Sequence, residues 1–339
     1  MVDVELRIAS AGLASVQDLG RPGHGHLGVP ENGAADGWAA QVANVLTGNP
    51  AEAPLIEITG SELMLTADAD LLIAVTGAAS AVLVAGVVQP VWEPLVVPAG
   101  WMITIPAPQL GLRSYLAVNG CLDAPRVLGS VAPDRLLGTG RSLRTGDTLH
   151  SRSDFVGLHH PFADIPLFRL GFPVPRIPRP LIIETTRGPD ASEFADHVDG
   201  TIGAEYEVSS QSDGIGLRLL GPTPQRTGSS EILSRGVPVG AIEVPPAGGL
   251  LLLLRGRLVT AGYPVLAVAT LDSIDRLGQA WPGDRIRFDL VDANRARETH
   301  RRRHRQLDTL ATKVNTAFAS VGITQTCHPH HTRNTRTYS

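Results

Sequence analysis

Glycine and proline interrupt the apolar runs of this sequence every few residues, and that punctuation excludes long helices and long strands over most of its length. The chain holds 36 Gly and 26 Pro in 339 residues. Between the breaks lie short runs of Val, Ile, Leu and Thr, the pattern of a mainly β fold. Strands are expected at residues 5–9, 62–66, 71–75, 102–105 and 114–118, and again at 181–184, 206–209, 217–220, 241–244, 250–254, 266–269 and 285–290. Two helices stand against this background. Asp36 can cap a segment whose Trp38, Val42, Val45 and Leu46 share one face, with Gly48 closing it in a left-handed turn. The other is a basic surface helix within 292–323, rich in Arg.

Pro161, Pro166, Pro173, Pro175, Pro178 and Pro180 crowd one stretch, breaking helices and removing the donors that a central strand needs. The division that follows is an N-terminal β lobe at 1–158, a Pro-rich linker at 159–180 and a C-terminal β lobe at 181–291. The basic helix and a disordered tail at 324–339 complete it. A faint duplication crosses the linker: Val96, Pro98, Ala99, Gly100 and Tyr115 recur as Val244, Pro246, Ala247, Gly248 and Tyr263, and Gly146-Asp147 as Gly283-Asp284. Two related β-barrel lobes are expected.

Composition excludes several classes of function. A net charge of -4 with 4% aromatic residues gives no field for polyanions and few platforms for unpaired bases, so nucleic acid is not an expected partner. No apolar run approaches the roughly 20 residues of a membrane-spanning helix. The two cysteines are too few for a disulfide framework, and residues 1–10 carry acids instead of a basic leader, so a cytoplasmic setting is expected. Lys313 is the sole lysine. Schiff-base, phosphate-loop and biotinyl-lysine chemistry would all fall on that one residue, so any ATP or biotin machinery is expected on another chain.

The densest polar loop runs Gln17-Asp18-Leu19-Gly20-Arg21-Pro22-Gly23-His24-Gly25-His26 and continues through Asn32, Gly33 and Asp36. Its glycines admit a ligand close to the backbone, and its side chains offer both hydrogen-bond signs. Equally, Asp18 and Arg21 can close a local ion pair and leave the histidines in solvent. His24 and His26 alternate as strand residues do and with Glu57 could supply metal ligands, yet no third ligand follows at helical or ribbon spacing. The terminal Cys327-His328-Pro329-His330-His331 run has polar flanks, and no structural metal is expected. The arginines from Arg295 to Arg305 read as a solvated helix face. In the second half, Arg218, Glu243 and Tyr263 stand near strand ends, where they can meet at a barrel rim or serve turn packing.

Taken in order, Val16-Gln17-Asp18-Leu19-Gly20-Arg21-Pro22-Gly23, Gly33-Ala34-Ala35-Asp36, Leu55-Ile56-Glu57-Ile58, Arg113-Ser114-Tyr115-Leu116, Gln211-Ser212, Gly262-Tyr263-Pro264 and Pro282-Gly283-Asp284 resemble the biotin-dependent carboxyltransferase family. That family includes allophanate hydrolase subunit 2, the C subunit of 5-oxoprolinase, the carboxyltransferase region of urea carboxylase, and KipA. The resemblance implies two cyclophilin-like β-barrel lobes. It also implies a smaller cyclophilin-like partner, of the kind of allophanate hydrolase subunit 1, the B subunit of 5-oxoprolinase or KipI, together with a LamB/YcsF-like subunit. The function it implies is one subunit, inactive alone, of an ATP-dependent complex hydrolysing a small amide, with 5-oxoproline to L-glutamate leading. A KipA-like binding protein that antagonises a kinase inhibitor and a carboxyltransferase subunit acting on urea are the alternatives. ATP is then a cosubstrate of the assembly, and no cofactor is bound covalently.

Within that reading Asp18, Glu57 and Tyr263 are the catalytic candidates, and Gln17, Arg21, His26, Arg113, Arg218 and Glu243 the substrate-binding ones. The chain departs from the family where an arginine is common and Gly214 stands, where Gln is common and Glu243 stands, and where an acid is common and Gly256 stands. Glycine at 214 removes a guanidinium and its donors.

Overall fold

Apolar alternation becomes sheet throughout this chain. Leu63–Ala67 buries every second residue, whereas Leu71–Gly77 is buried on both faces and lies inside its sheet. The structure is a computed structural model and describes residues 2–140, 142–153, 155, 169–194, 198–227, 232–320 and 323. The tail at 324–339, with its Cys-His run, and Pro161 and Pro166 of the linker lie outside the described residues. Cys121 is disulfide-bonded.

The first lobe is a pair of sheets. One has seven strands in the order Cys121–Leu122, Thr148–Ser153, Val2–Ser10, Leu63–Ala67, Ile103–Ile105, Val82–Val84, Val87–Gln89. The other has five, in the order Ala14–Gln17, Leu55–Thr59, Arg113–Val118, Leu71–Gly77, Pro94–Val97. Pro94 lacks a backbone donor and accordingly lies on an edge strand. The second lobe is a closed barrel of Leu181–Arg187, Val265–Ala269, Ala241–Glu243, Leu250–Leu253, Gly216–Leu220, Glu205–Val208 and Arg285–Leu290. Strict antiparallel alternation cannot close on an odd number of strands. The barrel solves this with one parallel pair, Leu181–Arg187 beside Arg285–Leu290.

The fold is therefore mainly β and two-lobed, with a C-terminal helix, while closure by hydrogen bonds belongs to the second lobe. The internal duplication holds in its turns. Asp147 Oδ2 accepts the Arg144 N–H at 2.8 Å, and Asp284 Oδ2 accepts the Trp281 N–H at 2.7 Å. It fails at the tyrosines, since Tyr115 is buried in a strand and Tyr263 is 41% exposed in a loop.

Four α-helices complete the description: α1 (Gly37–Leu46), α2 (Val198–Gly203), α3 (Leu271–Leu277) and α4 (Ala293–Ser320). Asp36 caps α1 by accepting the Ala39 N–H at 3.0 Å. α4 is more than a surface element. Leu307, Leu310, Val314 and Phe318 recur along one side and join the core of the first lobe. The helix that follows the second lobe thus returns across the first. Phe318 packs where a Cβ on Gly48 would lie 2.8 Å from its ring.

Candidate functional site

Glu57 and Tyr115 are direct cross-strand partners, so their side chains leave the sheet on the same face, toward the second lobe. Tyr115 donates its hydroxyl to Glu57 Oε2 at 2.8 Å and accepts the Asp36 N–H at 2.8 Å. The Ala35 N–H reaches the same Glu57 oxygen at 2.9 Å. Burial, reinforced by the charges of Glu57 and Asp36, holds the Tyr115 phenol well above its ordinary range. Tyr115 is therefore a fixed neutral donor.

The second lobe closes against this layer through one amide. Gln279 Oε1 accepts the N–H groups of Leu112 and Arg113, both at 3.0 Å. Its Nε2 donates to Asp36 Oδ2 at 2.8 Å and to the Arg113 carbonyl at 3.0 Å. Arg113 answers by donating Nη1 to the Gly278 carbonyl at 2.6 Å. Only glycine fits at 278, because an added Cβ would lie 2.6 Å from the Ala35 backbone. Asp275 of α3 accepts from the Gly37 N–H, Arg255 and Arg303, each at 3.1 Å. Burial and the Asp275 carboxylate push the Asp36 carboxyl up to about 6.

Between the lobes these contacts leave a cavity of about 150 Å³, whose wall includes Gln17, Asn32, Glu57, Arg113 and Arg255. Three buried side-chain atoms of that wall have no hydrogen-bond partner: Gln17 Oε1, Arg113 Nε and Arg255 Nε. Arg113 Nε lies 3.6 Å from Glu57 Oε1, an ion pair beyond hydrogen-bond reach. A buried polar atom left unmatched costs on the order of 1–3 kcal/mol. One acceptor and two donors so placed suit a small ligand that carries both an N–H and an anionic oxygen.

Of the residues singled out in sequence, Gln17, Glu57 and Arg113 meet at this cavity. The other catalytic and substrate-binding candidates do not line it. Asp18 accepts from Gly20 N–H (2.8 Å), Ser130 O–H (2.5 Å) and Val131 N–H (2.9 Å), with Arg126 Nη1 at 3.5 Å. Arg21, fully buried, donates to the carbonyls of Val127 and Ala132 and lies 3.4 Å from Asp134 Oδ2. As placed, both residues staple the loop at 126–134, and each pairs across the lobe instead of with the other. His26 lies exposed in the 3-10 turn Gly25–Leu27, not on a strand, with Nδ1 3.1 Å from the Gly23 carbonyl. Arg218 is exposed on the outer face of its barrel strand, and Tyr263 lies on an outer loop. Glu243 is buried in the barrel wall, where desolvation pushes its carboxyl up to about 7. Among the described residues no group of three or more His, Cys, Asp or Glu is gathered as a metal site requires.

Sequence reasoning missed Arg255 and Gln279. Gln279 stood in plain view as an amide beside Ala280 and Trp281, but nothing local told that it would complete a strand edge in the other lobe. Two of the family departures, Gly214 and Gly256, also line the cavity. A Cβ on Gly214 would meet nothing within 4 Å, so an arginine there would have room.

Residues 27–290 match the family described as carboxyltransferase domain, subdomain A and B. The chain is 35% identical over 314 residues to the C subunit of Escherichia coli 5-oxoprolinase, covering 89% of this chain and 97% of that one. It is 28% identical over 298 residues to urea amidolyase of Saccharomyces cerevisiae, covering 81% of this chain and 16% of that one. The crystal structure of TTHA0988 superposes with a TM-score of 0.74 at 31% identity, over 84% of this chain and 56% of that one. The chain thus spans little more than half the length of TTHA0988.

Proposed function

This chain belongs to the family of carboxyltransferase domains built of subdomains A and B, and from that premise we propose that it is the C subunit of a 5-oxoprolinase. With partner subunits, in a cytoplasmic complex, it opens the lactam of 5-oxoproline to L-glutamate. The observation that carries the reading is end-to-end similarity to the C subunit of 5-oxoprolinase, 35% identical over 97% of that protein. The cavity chemistry supports it. 5-Oxoproline carries a ring N–H for Gln17 Oε1 and a carboxylate for the free Nε groups of Arg113 and Arg255. Urea has no carboxylate and offers the two guanidinium donors only one neutral carbonyl oxygen, which disfavours the urea alternative.

A lactam carbonyl is a poor electrophile, so the reaction needs activation. ATP is the cosubstrate that supplies it: the γ-phosphoryl group passes to the lactam oxygen and ADP leaves. Water then adds to the ring carbon and the C–N bond breaks as the nitrogen takes a proton, which leaves an acyl phosphate; a second water hydrolyses it to L-glutamate and inorganic phosphate. The contribution of this chain is to hold the ring in one orientation and to place fixed donors against developing negative charge. Tyr115, Glu57 and the Gln279 amide lock the wall from behind, so Arg113 needs little reorganisation.

The test is reconstitution with the smaller cyclophilin-like subunit and a LamB/YcsF-like subunit, followed by glutamate release from 5-oxoproline with ATP. Arg113→Ala and Gln17→Ala are expected to lower kcat/KM by about 100-fold or more, in line with the loss of one or two matched polar contacts, with assembly intact. ATP-dependent turnover of urea with none of 5-oxoproline would overturn the reading.

A further inference from the structure

A groove of about 880 Å³ runs between α4 and the segment 172–178, on the far side of the Asp36–Gln279 layer from the lobe-interface cavity. We propose that this groove binds a nucleoside di- or triphosphate, with its ring against Trp38 and Phe172 and its phosphates on the cations of α4.

The charge asymmetry comes first. α4 turns Arg302, Arg305, Thr309 and Lys313 toward the groove, a spacing of three and four residues that keeps them on one helix face. Arg176 faces them from the opposite wall. Among the described residues none of these four cations has a carboxylate or any other polar partner for its side chain. Arg303 shows the contrast, being paired with Asp272 and Asp275 and seated 4.7 Å over the Trp38 ring. Asp36 is the one acid lining the groove, and its carboxylate oxygens are already engaged by the Ala39 N–H and the Gln279 amide. Unpaired cations in a concave wall concentrate potential there, although the whole chain carries a net charge of -4.

Charge alone would suit any polyanion, and the aromatic wall narrows the class. Phe172 stacks on Trp92 with ring centroids 5.9 Å apart and planes 10° apart, and Trp38 lies half-buried in the same groove. The indole Nε1 of Trp92 is buried without an acceptor. Such an orphan donor is uncommon and is matched by a ligand that brings a lone pair. A flat heteroaromatic ring supplies the π-face for Trp38 and Phe172 and ring nitrogens for Trp92, and an oligophosphate supplies the charge. The volume falls in the range of small-molecule sites. Inorganic polyphosphate or an acidic peptide would leave the aromatic wall unused.

One wall of the groove, with most of its free cations, lies beyond the family match. That match ends at residue 290, and α4 begins at Ala293. Gln279 lines the groove and holds Arg113 of the cavity wall, so the two spaces share one residue layer. The assignment does not rest on the hydrolase reading, since it concerns equilibrium binding in a separate space.

The full-length chain is titrated, by calorimetry and by tryptophan fluorescence, with a non-hydrolysable ATP analogue, adenosine, sodium tripolyphosphate and polyglutamate. Saturable binding of the analogue is expected, about tenfold or more tighter than that of tripolyphosphate or adenosine. The double variant Arg302→Glu/Arg305→Glu should lose about tenfold or more of that affinity with its melting temperature unchanged, because neither side chain holds another described residue. Trp38→Leu should bring the analogue down to the affinity of tripolyphosphate. Equal affinity for tripolyphosphate and nucleotide, tighter binding of polyglutamate, or unaltered binding by the double variant would each overturn the assignment.

Discussion

Glu243 shows what one residue type does when its surroundings are fixed by sheet register. It faces Leu251 and Val265 across the barrel strands, is 1% exposed, and has Oε1 without a partner. Its carboxyl is raised from 4.5 to about 7 by desolvation. A raised carboxyl means that the folded state holds the proton more tightly than the unfolded one. Its contribution is fully present below about pH 4.5 and is lost as pH rises toward 7. Glu243→Gln, the residue common in the family, is neutral at every pH and removes this dependence. The variant should gain on the order of 2–3 kcal/mol over the wild type between acid pH and about pH 8, measured by denaturant titration at several pH values. Gly214→Arg tests a second departure. With room around its Cβ, it should shift stability by less than about 0.5 kcal/mol in thermal melts.

At the scale of elements, the α4 helix decides most. Its polar residues alone do not place it, and Leu307, Leu310, Val314 and Phe318 hold it on the first lobe. Truncating Phe318 to Ala removes a fully buried ring from against Gly48 and should cost about 3–5 kcal/mol, read by chemical denaturation. Gln279 acts as a missing strand end: it occupies two backbone donors and one backbone acceptor at the start of Arg113–Val118. Gln279→Ala leaves those groups buried and unmatched, at a cost of about 2–4 kcal/mol. The rise in KM should exceed the loss of kcat, because Gln279 positions Arg113, which holds the substrate carboxylate, without itself touching the cavity ligand.

For the whole molecule, the lobes are tied twice, by the Asp36–Gln279–Arg113 layer and by α4 reaching back over the first lobe. Calorimetry should therefore show one cooperative transition. Ending the chain before Ala293 should resolve two, and two transitions in the intact chain would refute the coupling. The proposed heteromer makes its own demand. The chain and the smaller subunit should co-elute at micromolar concentration and bury more than about 1,200 Å² in total, and independent elution of both would count against it.

Local chemistry in the sequence determined the mainly β class, the Asp36 cap, the Gly-Asp turns and most strands of the barrel, because each depends on neighbours within a few residues. Gln17 was legible in the polar loop, and Glu57 and Arg113 through the ordered motifs of the family resemblance. Their meeting was not, since cross-strand register and lobe docking join residues far apart in the chain. Asp18 and Arg21 make the same point from the other side. Both carry chemistry by type, yet the loop at 126–134 occupies their hydrogen-bonding atoms, an outcome that depends on contacts more than a hundred residues away. Only the tertiary structure could assign Arg255 to the cavity and the arginines of α4 to a groove, because a free guanidinium and a paired one read identically in sequence and differ only in what packs beside them.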